Sequence, residues 1–587
     1  MQIDWDVAIP MDDGIVLRAD VFRRSDDGRY PVILSYGPYA KGLAFQDGYP
    51  SAWNRMAERH PDVTAGSTNR YQNWEVVDPE KWVPDGYACV RVDSRGAGRS
   101  LGFLDPWSPR EALDIAQCIE WAAAQPWSDG NVGMNGISYY AMNQWYVAGL
   151  QPPNLKAICV WEGAADFYRD VTHHGGILCT FAQNWYDMQV KSVQHGLGER
   201  GPRSRVTGAL ACGPETLSEE ELARNRVDFG ADVLAHPLDD EYHRSRSPVW
   251  ERVTVPLFSA ANWGGQGLHP RGNFEGFVRA ASSEKWLEAH GIEHWTEFYT
   301  GYGVKLQKQF FAHYLKGEDT LRDWPRVRLQ VRHLDRFEER HEDAWPIPRT
   351  CWTKLYLDLE TRTLRNEPPV PIRAGHESRI TYDASRDTLT FTSEPLTEET
   401  EITGPLAARL FVSSETTDAD VFVILRAFAP DGEEVVFQGA IDPHTPLAQG
   451  WLRASHRTLD PALSTEYRPY HTHVHPQPLV PGEPVQLDVE LWPTSVVLPA
   501  GYRLALTVRG TDYVYPGPSG GRLSNFKNEL TGCGPFLHDD SRDRPAEVFV
   551  AYNALHAEPY AMPYLILPVI SGVVLGLVPS ARLGETS

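Results

Sequence analysis

Cysteine is scarce and scattered in this chain: 7 in 587 residues, with no Cys-x-x-Cys pair. That pattern signals neither a disulfide framework nor a zinc site, and a reduced, cytoplasmic protein is expected. Cys89, Cys118 and Cys159 fall in apolar stretches and read as small core residues. Positive charge is also in short supply, with 55 Lys and Arg against 78 Asp and Glu and a net charge of −23. This disfavours nucleic acids and anionic membranes as partners. The apolar run from Tyr564 to Val578 is broken by Pro568 and is shorter than the roughly 20 residues of a spanning helix. It is expected to form closing strands of a β domain. The opening Met1-Gln2-Ile3-Asp4-Trp5 does not resemble a signal peptide. No Gly-x-x-x-x-Gly-Lys-[Ser/Thr] run is present, so the glycines between Asp93 and Ser100 point to a tight turn rather than a nucleotide site. What remains is 42% hydrophobic and 11% aromatic residues. That is enough for a large core, spread over about two to four domains.

The residues that are present form a pattern of alternating strands and helices. Tyr30–Tyr36, Tyr87–Asp93, Asn131–Met134 and Leu155–Trp161 read as buried strands. Ser108-Pro109-Arg110-Glu111 starts a helix with an N-cap Ser, a Pro in the first turn and a Glu for a capping box. Ala112, Ile115, Ala116, Ile119 and Ala123 then keep helical spacing. Short loops between such elements imply parallel pairing with right-handed crossovers. Within this pattern Gly136-Ile137-Ser138 lies between a strand and a helix that runs to about Leu150. A strand, a Gly-x-Ser turn and a helix make a nucleophile elbow, which lifts the hydroxyl above the sheet edge. The amide of Tyr139 then sits at a helix N-terminus, where it can bind an oxyanion. The second glycine usual two residues after the serine is Tyr140 here.

Three motifs together, Gly37-Pro38-Tyr39, Asp93-x-Arg95-Gly96-x-Gly98-x-Ser100 and Gly136-x-Ser138-Tyr139, resemble the cocaine esterase / X-Pro dipeptidyl-peptidase (S15) serine hydrolases. The resemblance covers nearly the whole chain, although the family's glycine three residues after the serine is Ala141. It implies Tyr39 as the second oxyanion donor, with Gly37 in place of the family's Asn. Tyr36 lies on the strand itself and is expected only to pack. By analogy of position it implies His294, in the loop after the strand Lys285–His290, as the general base, with His290 as the rival. The family's acid follows the preceding strand, Val255–Ala261, but Asn262-Trp263-Gly264-Gly265-Gln266 puts Gly265 in its slot. The favoured substitute is Glu162, which ends the strand Leu155–Trp161. Asp166 and a neutral Asn262 are the alternatives, and loss of activity is a third outcome.

The expected fold is an α/β-hydrolase core with a helical cap insertion and a C-terminal all-β jelly-roll domain. The expected boundaries are 1–165 and 251–349 for the core, 166–250 for the cap and 350–587 for the jelly roll. Trp185 and Tyr186 in the cap, and Trp263, are candidates to line the substrate pocket. The β assignment rests on alternating segments such as Val421–Leu425 and Gln486–Leu491. His173-His174 lacks a nearby carboxylate pattern, and His471-Thr472-His473-Val474-His475 reads as a polar strand edge, so no metal is expected at either. The expected reaction is hydrolysis of a small ester or amide through an acyl-enzyme, without metal or organic cofactor. An X-Pro aminopeptidase and a non-catalytic binding protein are the alternatives, and homo-oligomers are compatible with all three.

Overall fold

The computed structural model describes residues 1–369, 378–558 and 561–570. The chain divides into two units. The first comprises Met1–Thr172, Thr180–Arg328 and Gly520–Leu530, and the second His173–Cys179, Leu329–Ser519 and Thr531–Ser587. These limits differ from the expected ones in three places. The main run of the first unit stops at Arg328 rather than at 349, and two short stretches, His173–Cys179 and Gly520–Leu530, belong to the unit that the chain order would not assign them to.

The first unit is built on a sheet of β1 (Gln2–Pro10), β2 (Val16–Arg23), β3 (Tyr30–Gly37), β4 (Ala88–Asp93), β5 (Ser128–Ile137), β6 (Leu155–Trp161), β7 (Leu257–Asn262) and β8 (Lys285–His290). Their order is β1-β2-β4-β3-β5-β6-β7-β8. Pairing from β4 through β3 to β8 is parallel, and β1 and β2 add an antiparallel edge. Near-continuous burial along β3, β4, β6 and β7 fits a sheet covered on both faces. Helix α1 (Pro109–Ala123) starts as its sequence predicts, with the Ser108 hydroxyl accepting from Glu111 N. The Glu111 carboxylate, however, reaches back to Trp107 N at 2.8 Å. Ile115, Cys118, Ile119 and Ala122 of α1 join Val32, Leu34, Val90 and Met134 in one core. Burying each of the Ile, Val, Leu and Met side chains among them contributes about 1.5–3 kcal/mol. Helix α2 (Tyr139–Leu150) follows the elbow, α3 (Pro270–Arg279) follows β7, and α4 (Gly301–Lys316) stops at Gly317 in a left-handed C-cap.

Register aligns the carboxyl ends of the strands. Ile137 of β5 faces Trp161 of β6, and Asn262 of β7 faces His290 of β8. The loops leaving these ends therefore emerge on one edge, where open parallel sheets place their ligands. Between 166 and 250 the first unit carries short helices, among them Phe181–Trp185, Glu219–Arg224 and Phe229–Ala235.

The second unit is β-rich. Val421, Val423 and Leu425 lie in one core with Leu487, Val489 and Leu491, while Gln486, Asp488 and Glu490 are more exposed. This is the period-2 alternation expected of a sheet with one buried face. Tyr564–Ile570 is a strand paired with Thr350–Tyr356, as expected for the start of the apolar run; 571–578 lies outside the described residues. Among the described residues, no helix is long and apolar enough to cross a membrane.

Candidate active site

Ser138 is held in a strained turn, at φ 56° and ψ −113°. Its amide donates to the carbonyls of Trp161 and Glu162, both at 3.2 Å. Tyr140, in the place of the usual second glycine, lies across two other glycines. A Cβ at Gly136 would stand 2.4 Å from Tyr140 Cβ, and one at Gly37 would stand 2.5 Å from the Tyr140 ring. The small residue at 37 thus makes room for the large one at 140. The Asp93–Ser100 run is a turn locked by hydrogen bonds. Asp93 accepts from Lys41 N at 2.6 Å and from Arg99 N at 2.8 Å, and Arg95 pairs with Asp114 through two bonds of 2.7 and 2.8 Å. Gly98, at φ +53°, leaves only 2.3 Å between a Cβ and the Asp93 carboxylate, so no side chain fits.

The imidazole that meets Ser138 is His269, with Nε2 at 3.0 Å from Oγ. His269 ends the loop after β7, just before Pro270 opens α3. This is the loop in which the family pattern places its acid and this chain has Gly265 instead. His269 is 2% exposed, and its Nδ1 has no hydrogen-bond partner. Burial, with the neighbouring His294 charge, holds it well below the ordinary imidazole value, so it is neutral.

The structure does not bring His294 to the serine by a hydrogen bond, because both of its nitrogens are taken. Nδ1 bonds Glu162 at 2.8 Å and Nε2 bonds Glu75 at 2.8 Å. Burial opposes its charge, but the Glu162 carboxylate outweighs this and raises it to about 9. Its ring stacks on His269 at 4.7 Å and 8°. His290 lies one step further along, between Glu162 at 3.0 Å and Glu288 at 2.7 Å. The result is a buried chain of alternating groups, Glu288–His290–Glu162–His294–Glu75. Against the cost of burial, His294 and His290 hold Glu162 down at about 2. Glu75, with one cationic partner and one unpartnered buried oxygen, is raised by burial to about 7.

Glu162 thus lies within the site and orients an imidazole, although that imidazole is one stacking distance from the one on the serine. Asn262 touches Glu162 at 3.4 Å and mainly ties the β7 turn through Ile292 O and Gly264 N. Asp166 caps the segment that follows it and pairs with Arg169 at 2.8 Å. Tyr39 is 5% exposed, and its hydroxyl accepts from Trp185 Nε1 at 3.0 Å. Burial keeps the phenol protonated, so its own proton is left to donate elsewhere. Trp185 therefore braces Tyr39. Tyr186 bonds Val227 O and stacks on Phe229, and Trp263 is fully buried against Phe274, so neither meets the serine through these contacts. Tyr36 accepts from Arg95 N within the core. The Tyr139 ring is packed away, its hydroxyl bonded to Glu111, which leaves only its amide for an oxyanion.

A 260 Å³ cavity elsewhere in the first unit, lined by Trp5, Phe22, Lys41, Tyr71 and Arg99 among others, does not include Ser138. Sequence reasoning missed His269 and Glu75. For His269 the available signal was a histidine in the acid loop, immediately before a helix-starting proline. Glu75 carried no local signal.

Residues 13–296 match the model of the X-Pro dipeptidyl-peptidase (S15) family, and residues 320–534 match that of the X-Pro dipeptidyl-peptidase C-terminal non-catalytic domain. A CocE/NonD family hydrolase from Staphylococcus aureus shares 32% identity with a TM-score of 0.80, covering 97% of this chain and 94% of its own. The chain belongs to the CocE/NonD hydrolases of the S15 family. A cocaine esterase from Rhodococcus sp. is 27% identical over 96% of this chain and 98% of its own. An α-amino-acid ester hydrolase shares the fold, with a TM-score of 0.64 at 17% identity. The CocE/NonD hydrolases are serine hydrolases, in agreement with the expected enzyme class. The neighbours support the α/β-hydrolase-like unit and a C-terminal β-rich domain.

Proposed function

We propose that this CocE/NonD hydrolase transfers the acyl group of a small ester or amide to water through an acyl-enzyme on Ser138. The observation that carries the proposal is the 3.0 Å contact between Ser138 Oγ and a neutral His269 at a strained elbow. His269 takes the hydroxyl proton as Oγ attacks the carbonyl carbon, and returns it to the leaving alkoxide or amine. Water, deprotonated by the same imidazole, then releases the acid. The Tyr139 amide and the Tyr39 hydroxyl bind the oxyanion. In this reading His269 replaces His294 as the base. With its three carboxylates ionised and its two imidazoles protonated, the Glu288–Glu75 chain carries one net negative charge. That charge offsets the imidazolium that forms on His269. The short helices between 166 and 250 act as the cap, and the β-rich unit is a jelly roll. An X-Pro aminopeptidase is the alternative; it would need a carboxylate for the substrate amine, and Glu162 has both oxygens bonded to His290 and His294 while Glu75 keeps one unpaired.

A fluorophosphonate probe tests the reading directly. Wild type is expected to label and Ser138→Ala, folded, is not. A folded wild type that stays unlabelled and turns over no ester would leave the binding-protein reading instead.

A further inference from the structure

The β-rich unit buries a cluster of imidazoles and a thiol that the hydrolytic reading leaves unused. Segment His173–Cys179 belongs to this unit. His173–His174 and Ile177–Leu178 pair antiparallel around Gly175 and Gly176. Gly175, at φ +56°, passes so close to Trp451 that a Cβ would stand 2.0 Å from its carbonyl oxygen. Only glycine can turn the hairpin there.

The hairpin brings His174 and Cys179 to one point, and His538 completes the group. One ligand atom from each lies within 4.8 Å of the others, and all three residues are buried. His174 Nδ1 and His538 Nε2 are 2.8 Å apart. Asp512 accepts from the backbone N and from Nδ1 of His538, both at 2.7 Å. This holds the His538 proton on Nδ1 and turns the Nε2 lone pair toward His174, the arrangement in which an outer carboxylate orients a metal-binding imidazole. Trp451 and Trp492 approach the His174 ring at 4.8 and 5.4 Å, and Phe422 approaches His538 at 5.4 Å, so both imidazoles are flanked by aromatic rings.

Two imidazoles and a thiolate form a nitrogen–sulfur donor set suited to zinc, and three protein ligands leave its fourth position to a water. The charges balance: a divalent ion, one thiolate and the Asp512 carboxylate sum to zero. We propose that His174, Cys179 and His538 bind one zinc ion, oriented through Asp512, and that the ion fastens the 173–179 hairpin within the β-rich unit. Binding releases the Cys179 thiol proton to solvent.

The test is metal analysis of the full chain, followed by chelation and titration with cobalt(II). About one zinc per chain is expected, and cobalt should rebind with a thiolate-to-cobalt charge-transfer absorption. Cys179→Ser should abolish that absorption, and Asp512→Asn should weaken metal affinity roughly 10–100-fold. Cys533→Ser, in the neighbouring apolar cluster, should leave both unchanged. His269→Ala is the control for the other buried group with metal-binding spacing, Glu162, His269 and His294. Wild-type chain that takes up neither ion after chelation would overturn the proposal, and that result does not depend on any variant folding. An absorption that survives Cys179→Ser, or metal lost with His269→Ala, would overturn it as well.

Discussion

Two loops leave neighbouring strands, and each delivers a histidine to the edge of the sheet. The rings of His269 and His294 lie parallel at 4.7 Å, yet they are chemically opposite. His269, after β7, is buried without a carboxylate on its free nitrogen and stays neutral. His294, after β8, has a carboxylate on each nitrogen and is charged to about pH 9. Identical side chains at nearly the same place differ because of what their nitrogens meet. A base must be free to accept a proton, and only His269 is.

Loss of His269 is expected to do the most damage. His269→Ala is expected to lower kcat by roughly 10⁴–10⁶-fold, as much as Ser138→Ala, with no further loss in the double variant. His294→Ala should cost at least about 10-fold less. The reverse ranking in single-turnover kinetics would return the base to His294.

Glu162→Gln removes the carboxylate shared by two imidazoliums. Leaving buried charges unpaired should cost about 3–5 kcal/mol, read from the urea midpoint. The same pair makes stability depend on pH. Glu162, held at about 2 against an ordinary 4.5, stabilises the fold above pH 4.5 and loses this as pH falls toward 2. His294, raised from 6.5 to about 9, stabilises it below pH 6.5 and loses this as pH rises through 9. Both flanks should flatten in Glu162→Gln.

Tyr39→Phe should reduce kcat by roughly 10²–10³-fold with little change in KM, the usual cost of one oxyanion donor. The smallest effect belongs to Glu75. As pH rises through about 7 its carboxyl ionises, and the added negative charge favours protonation of His269 in the transition state. kcat/KM should therefore rise across that range, and Glu75→Gln should hold the rate at the acid-side value, a few-fold lower. An unchanged rising limb in Glu75→Gln would detach Glu75 from catalysis.

Much of this was legible in the residues. Ser108-Pro109 starts α1, Gly317 ends α4, and Gly136-Ile137-Ser138 makes the elbow, because caps, turns and apolar spacing act within a few residues. The placement of Glu162 at the end of β6 was equally readable from the apolar run before it. His269 was not, because its loop has no periodicity and the family pattern directed attention to an acid there. The excursions of 173–179 and 520–530 into units that chain order does not predict were hidden for the same reason.

The central strands, the starts and stops of α1 and α4 and the strained serine follow from local spacing and backbone preference alone. Which histidine meets that serine depends instead on contacts between distant parts of the chain. Ser138 and His269 are 131 residues apart, and His294 and Glu75 are 219 apart. Their protonation depends on burial and on charges brought together only when the strand ends align.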